Sequence, residues 1–260
     1  MPVPKQEGKI RLANGCIMFY PPGYQELAVF LGGVYEPEAS TVRLLMGFLR
    51  PGMRFVDVGA HLGYYTLLAS QLVGPSGRVY AFEPDPHFFP YLVRNIEANG
   101  RNNVVAVPKA VADRTGTMTL FSQPTSSGSS LYHKGAGLRE EIVVEVTSLD
   151  AFFAKEGWPP IDMVKLDIEG GEKAALEGMV ELSRRNPGLK LIVEFELRAM
   201  RAAGTAPEEL VSTLQRLGFT KFHVVNGEPA AIELPDGLGI LVSKARRRLY
   251  VNLFCEKEPG

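Results

Sequence analysis

Residues Arg54–Ser70 read R-F-V-D-V-G-A-H-L-G-Y-Y-T-L-L-A-S, and the rest of the chain is organised around them. Phe55, Val56 and Val58, broken only by Asp57 and arriving out of Pro51-Gly52, form the short apolar run of a buried parallel strand. Gly59 and Gly63 follow, and then Leu62, Tyr65, Leu68, Ala69 and Leu72 recur at helical spacing. The order is strand, tight glycine turn, helix. Such a turn lets a ligand approach the backbone closely, and the unpaired N–H groups at the helix start favour an anionic or hydroxyl-rich one. The spacing D-x-G-x-x-x-G departs from the G-x-G-x-x-G of dinucleotide-binding turns, which weighs against an oxidoreductase using a nicotinamide cofactor.

Toward the N-terminus, Asn14-Gly15 lies between two apolar runs in residues 9–20 and predicts a β-hairpin, so residues 1–36 read as a small β extension. Gly32–Pro37 reads as a turn and Pro37–Leu49 as a helix, the start of a single domain over residues 37–260. Toward the C-terminus, Gly77–Pro84 is a second strand ending in Glu83, Pro86–Asn99 a helix primed by Asp85, and Val104–Val107 a third strand. Strands alternating with helices of this length predict a parallel sheet covered on both faces.

From Gly116 the rhythm changes. Thr117–Phe121 and Ile142–Val146 read as strands joined by a Ser/Gly-rich loop over residues 122–137, either a covering segment or a surface loop. Thr147 or Ser148 caps a short helix through Phe153. A fourth α/β strand ends at Asp167, Lys173–Arg184 is a helix, and Leu189–Glu196 is a fifth strand. Pro207–Leu217 is a helix, Phe219–Val225 and Tyr250–Cys255 are the last two strands, and K-A-R-R-R between them reads as a solvated hairpin flank.

Polar residues cluster where an open parallel sheet binds ligands, beyond the carboxyl ends of its strands. Asp57 and Gly59 follow strand one, Glu83 strand two, Asp167 and Glu169 strand four, and Glu194 and Glu196 strand five. Glu83 comes twenty residues after Gly63, the separation at which an acid accepts hydrogen bonds from a ribose diol.

Bulk composition narrows the partners. With 45% hydrophobic and 22% charged residues the chain is an ordinary globular one, and a net charge of -1 offers no electrostatic case for nucleic acid or an anionic membrane. Cys16 and Cys255 stand at opposite ends with no metal-ligand or disulfide spacing, and the N-terminus lacks a signal-peptide core. The expectation is a cytoplasmic protein.

The motif set as a group resembles the FkbM family of methyltransferases. V-D-V-G-A-H-L-G-Y-Y-T, F-E-P, P-K-A-V-A-D, T-S-L-D, V-K-L-D-I-E-G-G-E and V-E-F…L-G-F occur in the family's order, and the resemblance spans about Gly32 to Glu256. It implies an α/β, Rossmann-like class I methyltransferase fold, with a seven-stranded, mostly parallel sheet whose last strand is antiparallel. It also implies S-adenosylmethionine as methyl donor and hydroxyl oxygens of sugars or polyketide-like alcohols as acceptors. By the same resemblance Gly59, Ala60 and Gly63 approach the cofactor's methionine part and Glu83 holds the ribose, with Asp57, His61 and Pro84 also among the cofactor-binding residues. Ala112 and Asp113 then sit near the adenine, and Asp167 near the sulfonium. His61 departs from the family, which usually carries Asn there.

Methyl transfer to an alcohol is an in-line displacement that needs a base for the hydroxyl proton or a metal to acidify it. Asp167, Glu169, Glu194, Glu196 and His61 are the candidate bases, and two neighbouring acids are alternatively an oxygen-rich Mg²⁺ site. Nitrogen or carbon acceptors stay open, although no N-P-P-Y-type turn is present. A scaffold that had lost catalysis would have lost these acids, and Asp167, Glu169 and Glu194 are in place.

Overall fold

The computed structural model describes residues 6–24, 36–123, 128–132, 139–225, 230–247 and 250–258. Residues 32–35 of the expected turn and most of the 122–137 loop therefore lie outside the described residues, while Glu36 and Pro37, expected to end that turn, open a helix. The main sheet is built on β3 (Arg54–Val58), whose neighbours β4 (Arg78–Phe82) and β9 (Met163–Leu166) run parallel to it. Beyond β4 lies β5 (Val104–Val107), and beyond β9 lies β10 (Lys190–Phe195), also parallel. Antiparallel β13 (Val251–Lys257) then inserts between β10 and β11 (Phe219–Val225). The full order is β12-β11-β13-β10-β9-β3-β4-β5, with β12 (Ala230–Ile232) at the edge.

Alternation along these strands sorts the core. Val56, Val58, Val164, Leu166, Leu191 and Val193 point to one face, packed under α4 (Leu149–Lys155), α5 (Glu172–Glu177), α6 (Val180–Arg185), α7 (Leu197–Ala202) and α8 (Pro207–Arg216). Phe55, Met163, Ile192 and Phe254 point to the other, against α1 (Glu36–Phe48) and α2 (Tyr64–Val73). Strands buried on both faces explain the continuous apolar runs. Among the described residues no helix is long and apolar enough to cross a membrane.

Four expectations need correction. The sheet has eight strands rather than seven, because Ala230–Ile232 turns back to pair with Phe222–Val224. The basic run belongs to a helix, α9 (Leu238–Arg247): Leu241 and Ala245, one turn apart, bury one face and leave the cations on the other. The helix expected over Lys173–Arg184 is two short ones, broken at Gly178. A Cβ on Gly178 would fall 2.1 Å from the Ala112 carbonyl oxygen, so only glycine lets these backbones meet. Finally, α3 (Phe89–Ala98) starts three residues later than Pro86; the Asp85 carbonyl accepts the first N–H bonds, from Phe88 and Phe89, while its side chain is engaged elsewhere.

The N-terminal hairpin is present, β1 (Gly8–Arg11) paired with β2 (Ile17–Tyr20). It docks on α3 through side-chain amides that stand in for a strand. Asn95 exchanges two bonds with the Phe19 backbone (2.7 and 3.1 Å) and Asn99 two with Ile17 (2.8 and 2.7 Å). Leu12, Cys16, Met18 and Tyr24 then close over Leu62, Leu67 and Phe88, so the extension shares a core with the glycine turn. A second, three-stranded sheet, β6 (Ala110–Val111), β8 (Glu140–Thr147) and β7 (Gly116–Ser122), stands beyond β5.

Candidate active site

The carboxyl ends of β3, β4, β9 and β10 open into one cavity of about 640 Å³, within the roughly 300–1,000 Å³ typical of small-molecule sites. Gly59, Ala60, His61, Glu83, Pro84, Asp167, Glu169, Glu194 and Glu196 all line it. Close backbone packing explains the first glycine. Gly59 has φ +85°, and a Cβ there would lie 1.9 Å from the Asp167 carbonyl oxygen. Gly59 and Ala60 donate their N–H groups to the Phe82 carbonyl at 3.0 and 2.9 Å, which seats the turn across β4. Gly63 stands at the start of α2 and donates to the Ala60 carbonyl at 2.8 Å.

Glu83 is buried at the cavity wall and bonded to both neighbouring segments. Its Oε2 accepts the His61 N–H at 2.7 Å and its Oε1 the Asp85 N–H at 2.9 Å. Burial pushes the carboxyl up to about 8, against the pull of those two donors. A carboxylate has about four acceptor positions, so the two protein bonds leave it acceptor capacity toward the cavity.

His61 adopts φ +53°, a left-handed conformation that Asn tolerates as well. Its ring packs between Phe88 and Tyr24, with centroids 4.1 and 5.5 Å away. Burial lowers its pKa to about 4 despite the negative charges of Asp85 and Asp167, so the imidazole is neutral at neutral pH. Nε2 is buried without a hydrogen-bond partner among the described residues.

Beneath the turn, Asp57 accepts the Thr66 hydroxyl at 2.6 Å, and burial raises its pKa against the opposing Lys165 charge. Asp57 and Ile192 both pair in register with Lys165, so Asp57, Lys165, Asp167 and Glu194 project from the same face of adjacent strands. Lys165, only 1% exposed, donates to Asp167 Oδ2 at 2.5 Å and lies 4.5 Å from the centre of the Tyr65 ring. The buried Lys165 cation is thus paired with Asp167 and faces the buried Asp57, which makes burying the two charges tolerable.

The turn after β9 is shaped by Glu172, whose carboxylate accepts the N–H groups of Ile168 and Gly170, each at 3.0 Å. Burial raises its pKa against those bonds. The turn leaves Glu169 at φ +59° on the cavity wall. Glu196 also reaches the wall, but its carboxylate caps α7, accepting from Arg198 N and Ala199 N at 2.9 and 2.6 Å.

Four expected residues do not line the cavity: Asp57 is buried beneath the turn on Thr66, Gly63 opens α2, and Ala112 and Asp113 lie elsewhere. Ala112 is buried against Gly178, and Asp113 is exposed beside Arg114 at 3.3 Å; Lys109, Ala110 and Val111 line the wall instead. Sequence reading missed Lys165, Glu172, Tyr24 and Tyr64; Ser129–Leu131, from the loop it weighed as a covering segment, also line the wall. The first two had a signal, since V-K-L-D alternation puts Lys165 on Asp167's face and E-G-G-E places Glu172 one turn beyond the strand. Among the described residues no group of three or more His, Cys, Asp or Glu side chains is arranged to hold a metal ion.

The chain is similar to known methyltransferases. The methyltransferase FkbM domain model matches residues 57–221, more than half the chain. The 31-O-demethyl-FK506 methyltransferase FkbM of Streptomyces tacrolimicus is 29% identical over 66% of this chain and 74% of its own length. The hexuronic acid methyltransferase AglP of Haloferax volcanii is 25% identical over 55% of this chain and 56% of its own. A protein-L-isoaspartate O-methyltransferase of Aeropyrum pernix matches only locally, 45% identical over 22% of each chain. Among solved structures, the methyltransferase FkbM of Methylobacillus flagellatus superposes with a TM-score of 0.50 at 17% identity, covering 83% of this chain and 47% of that one. The AdoMet complex of M. jannaschii TYW2 superposes at 0.51 and 13% identity, over 99% and 89% of the two chains. The fold is that of the class I S-adenosylmethionine-dependent methyltransferases, and the chain belongs to the FkbM methyltransferase family.

Proposed function

We propose that this protein transfers the methyl group of S-adenosylmethionine to a hydroxyl oxygen of a sugar, glycan or polyketide-like alcohol. The observation that carries the reading is Glu83, a buried acid with acceptor capacity toward the cavity, bonded through the His61 N–H to the glycine turn. The fit rests on the donor and acceptor set. The glycine turn lets the methionine part lie against backbone, Glu83 accepts from the ribose diol, and the Lys109–Val111 wall is available to the base.

The bound donor supplies an electrophilic methyl group on a sulfonium. The chain's part is alignment and proton removal. Asp167, Glu169 and Glu194 bracket the acceptor end, and in this reading one of them takes the hydroxyl proton while the others accept from neighbouring hydroxyls. Tyr64 and Tyr250, on the same wall, present aromatic surface to the carbon face of a ring. The family relatives acting on hexuronic acid and on an FK506 precursor support an oxygen acceptor. A cytoplasmic setting belongs to the same reading on the two isolated cysteines, and the absence of a nucleic-acid or membrane partner on the net charge of -1. Should two of the acids hold Mg²⁺, the bound ion would lower the hydroxyl's pKa in place of a base.

The test uses a panel of sugars, uronic acids and macrolide alcohols with labelled S-adenosylmethionine. Asp167→Asn, Glu169→Gln and Glu194→Gln are compared with the parent, with and without chelator. At least one variant should lose about 10²–10⁴-fold in turnover while still binding cofactor. Near-parental turnover in all three would remove these acids from the mechanism.

A further inference from the structure

Asp85 is a buried acid with four hydrogen-bonding contacts to its side chain, and the proposed chemistry makes no use of it. It is fully buried, two residues beyond Glu83, and does not line the cavity. Oδ1 accepts the His87 N–H at 2.9 Å and lies 3.0 Å from His87 Nδ1, and Oδ2 accepts the hydroxyls of Ser122 and Ser129 at 2.6 and 2.8 Å. Its own N–H donates to Glu83 at 2.9 Å. Hydrogen bonds to a buried carboxylate are the strong kind, and a buried charge with this many donors fixes its surroundings.

Of the two serines it holds, Ser122 ends β7 and Ser129 belongs to a strap. Ser129, Ser130 and Leu131 form part of the cavity wall. Ser130 and Phe121 exchange backbone bonds (2.8 and 3.2 Å), Gln123 N donates to Ser129 Oγ (2.9 Å), and Ser130 Oγ donates to the Glu169 carbonyl (2.7 Å). The strap is therefore fastened at one end to Asp85 and at the other to the turn that carries a candidate catalytic acid. A continuous path runs from Glu83 through the Asp85 peptide and carboxylate to Ser129, Ser130 and Glu169.

The geometry points to Asp85 as a positioning residue that couples filling of the ribose end of the cavity to the placement of its acceptor wall. This rests on the reading of Glu83 as the ribose acid. Bonds from a diol hold the Glu83 carboxylate in one position, Glu83 holds the Asp85 N–H, and the Asp85 side chain holds the strap. Ligand at one end then orders the wall at the other.

The probe is S-adenosylhomocysteine, and the readout is amide exchange at Phe121, Gln123 and Ser130 by nuclear magnetic resonance. In the parent protein, saturation with the probe should slow exchange at these amides by about tenfold or more. In Asp85→Asn, and in Ser129→Ala if the first variant does not fold, the probe should still bind within about tenfold of the parent. The ligand-induced slowing should disappear. A merely structural role would loosen the strap equally with and without ligand, leaving the increment intact. Binding without slowing in the parent, or equal slowing in the variants, would overturn the coupling. Failure of the probe to bind the parent at all would instead overturn the reading of Glu83, and the coupling with it.

Discussion

The backbone N–H of His61 donates to Glu83 Oε2 at 2.7 Å, so the glycine turn and the acid ending the adjacent strand act as one unit. That bond and the Asp85 N–H favour the carboxylate, but burial outweighs them and pushes the group up to about 8. Accepting two hydroxyls from a ribose favours the ionised form. Cofactor binding near pH 7 should therefore release a proton from Glu83. Calorimetry in two buffers of different ionisation enthalpy should detect that release, which should vanish by about pH 9.5 and be absent in Glu83→Gln. Release that persists in Glu83→Gln would assign the proton to another group.

The same burial makes Glu83 a liability for stability. Its folded pKa, about 8, lies above the ordinary 4.5, so the folded state holds a proton that the unfolded state loses. Its contribution is fully present below about pH 4.5 and lost as pH rises through about 8. Urea midpoints of the ligand-free protein should show a decline over that window that is shallower in Glu83→Gln. An equally steep decline in the variant would place the cause elsewhere.

His61 is neutral across the working range, its pKa lowered to about 4 by burial, and it occupies a left-handed backbone position. His61→Asn should keep fold and cofactor affinity within a few-fold, and rates between about pH 6 and 9 should show no limb from this residue. His61→Val places a β-branched side chain at φ +53° and should cost about 1–3 kcal/mol in urea unfolding. An acid limb lost in His61→Asn would restore His61 as the base.

The parts legible in the sequence were those written in local periodicity. Val56 and Val58, Leu68 and Ala69, and the acids ending successive strands read directly, because a strand's alternation and a helix's turn are fixed over a few residues. What was missed depends on distant partners. Nothing near Asp85 signals Ser122 and Ser129, and nothing near Asn95 signals Phe19, 76 residues away. The break at Gly178 exists because Ala112 packs there, and the short run Ala230–Ile232 becomes a strand only because β11 has a free edge. The hairpin looked like an appendage, whereas Tyr24 helps wall the cavity.

Isothermal titration of the purified protein with S-adenosylhomocysteine, beside Glu83→Ala and beside NAD, tests the central claim most directly. The account predicts one-to-one binding by the parent and a loss of roughly tenfold or more in Glu83→Ala, as two bonds to a charged acceptor disappear. It predicts no binding of NAD. Parental affinity in Glu83→Ala, or tight binding of NAD with none of S-adenosylhomocysteine, would contradict it.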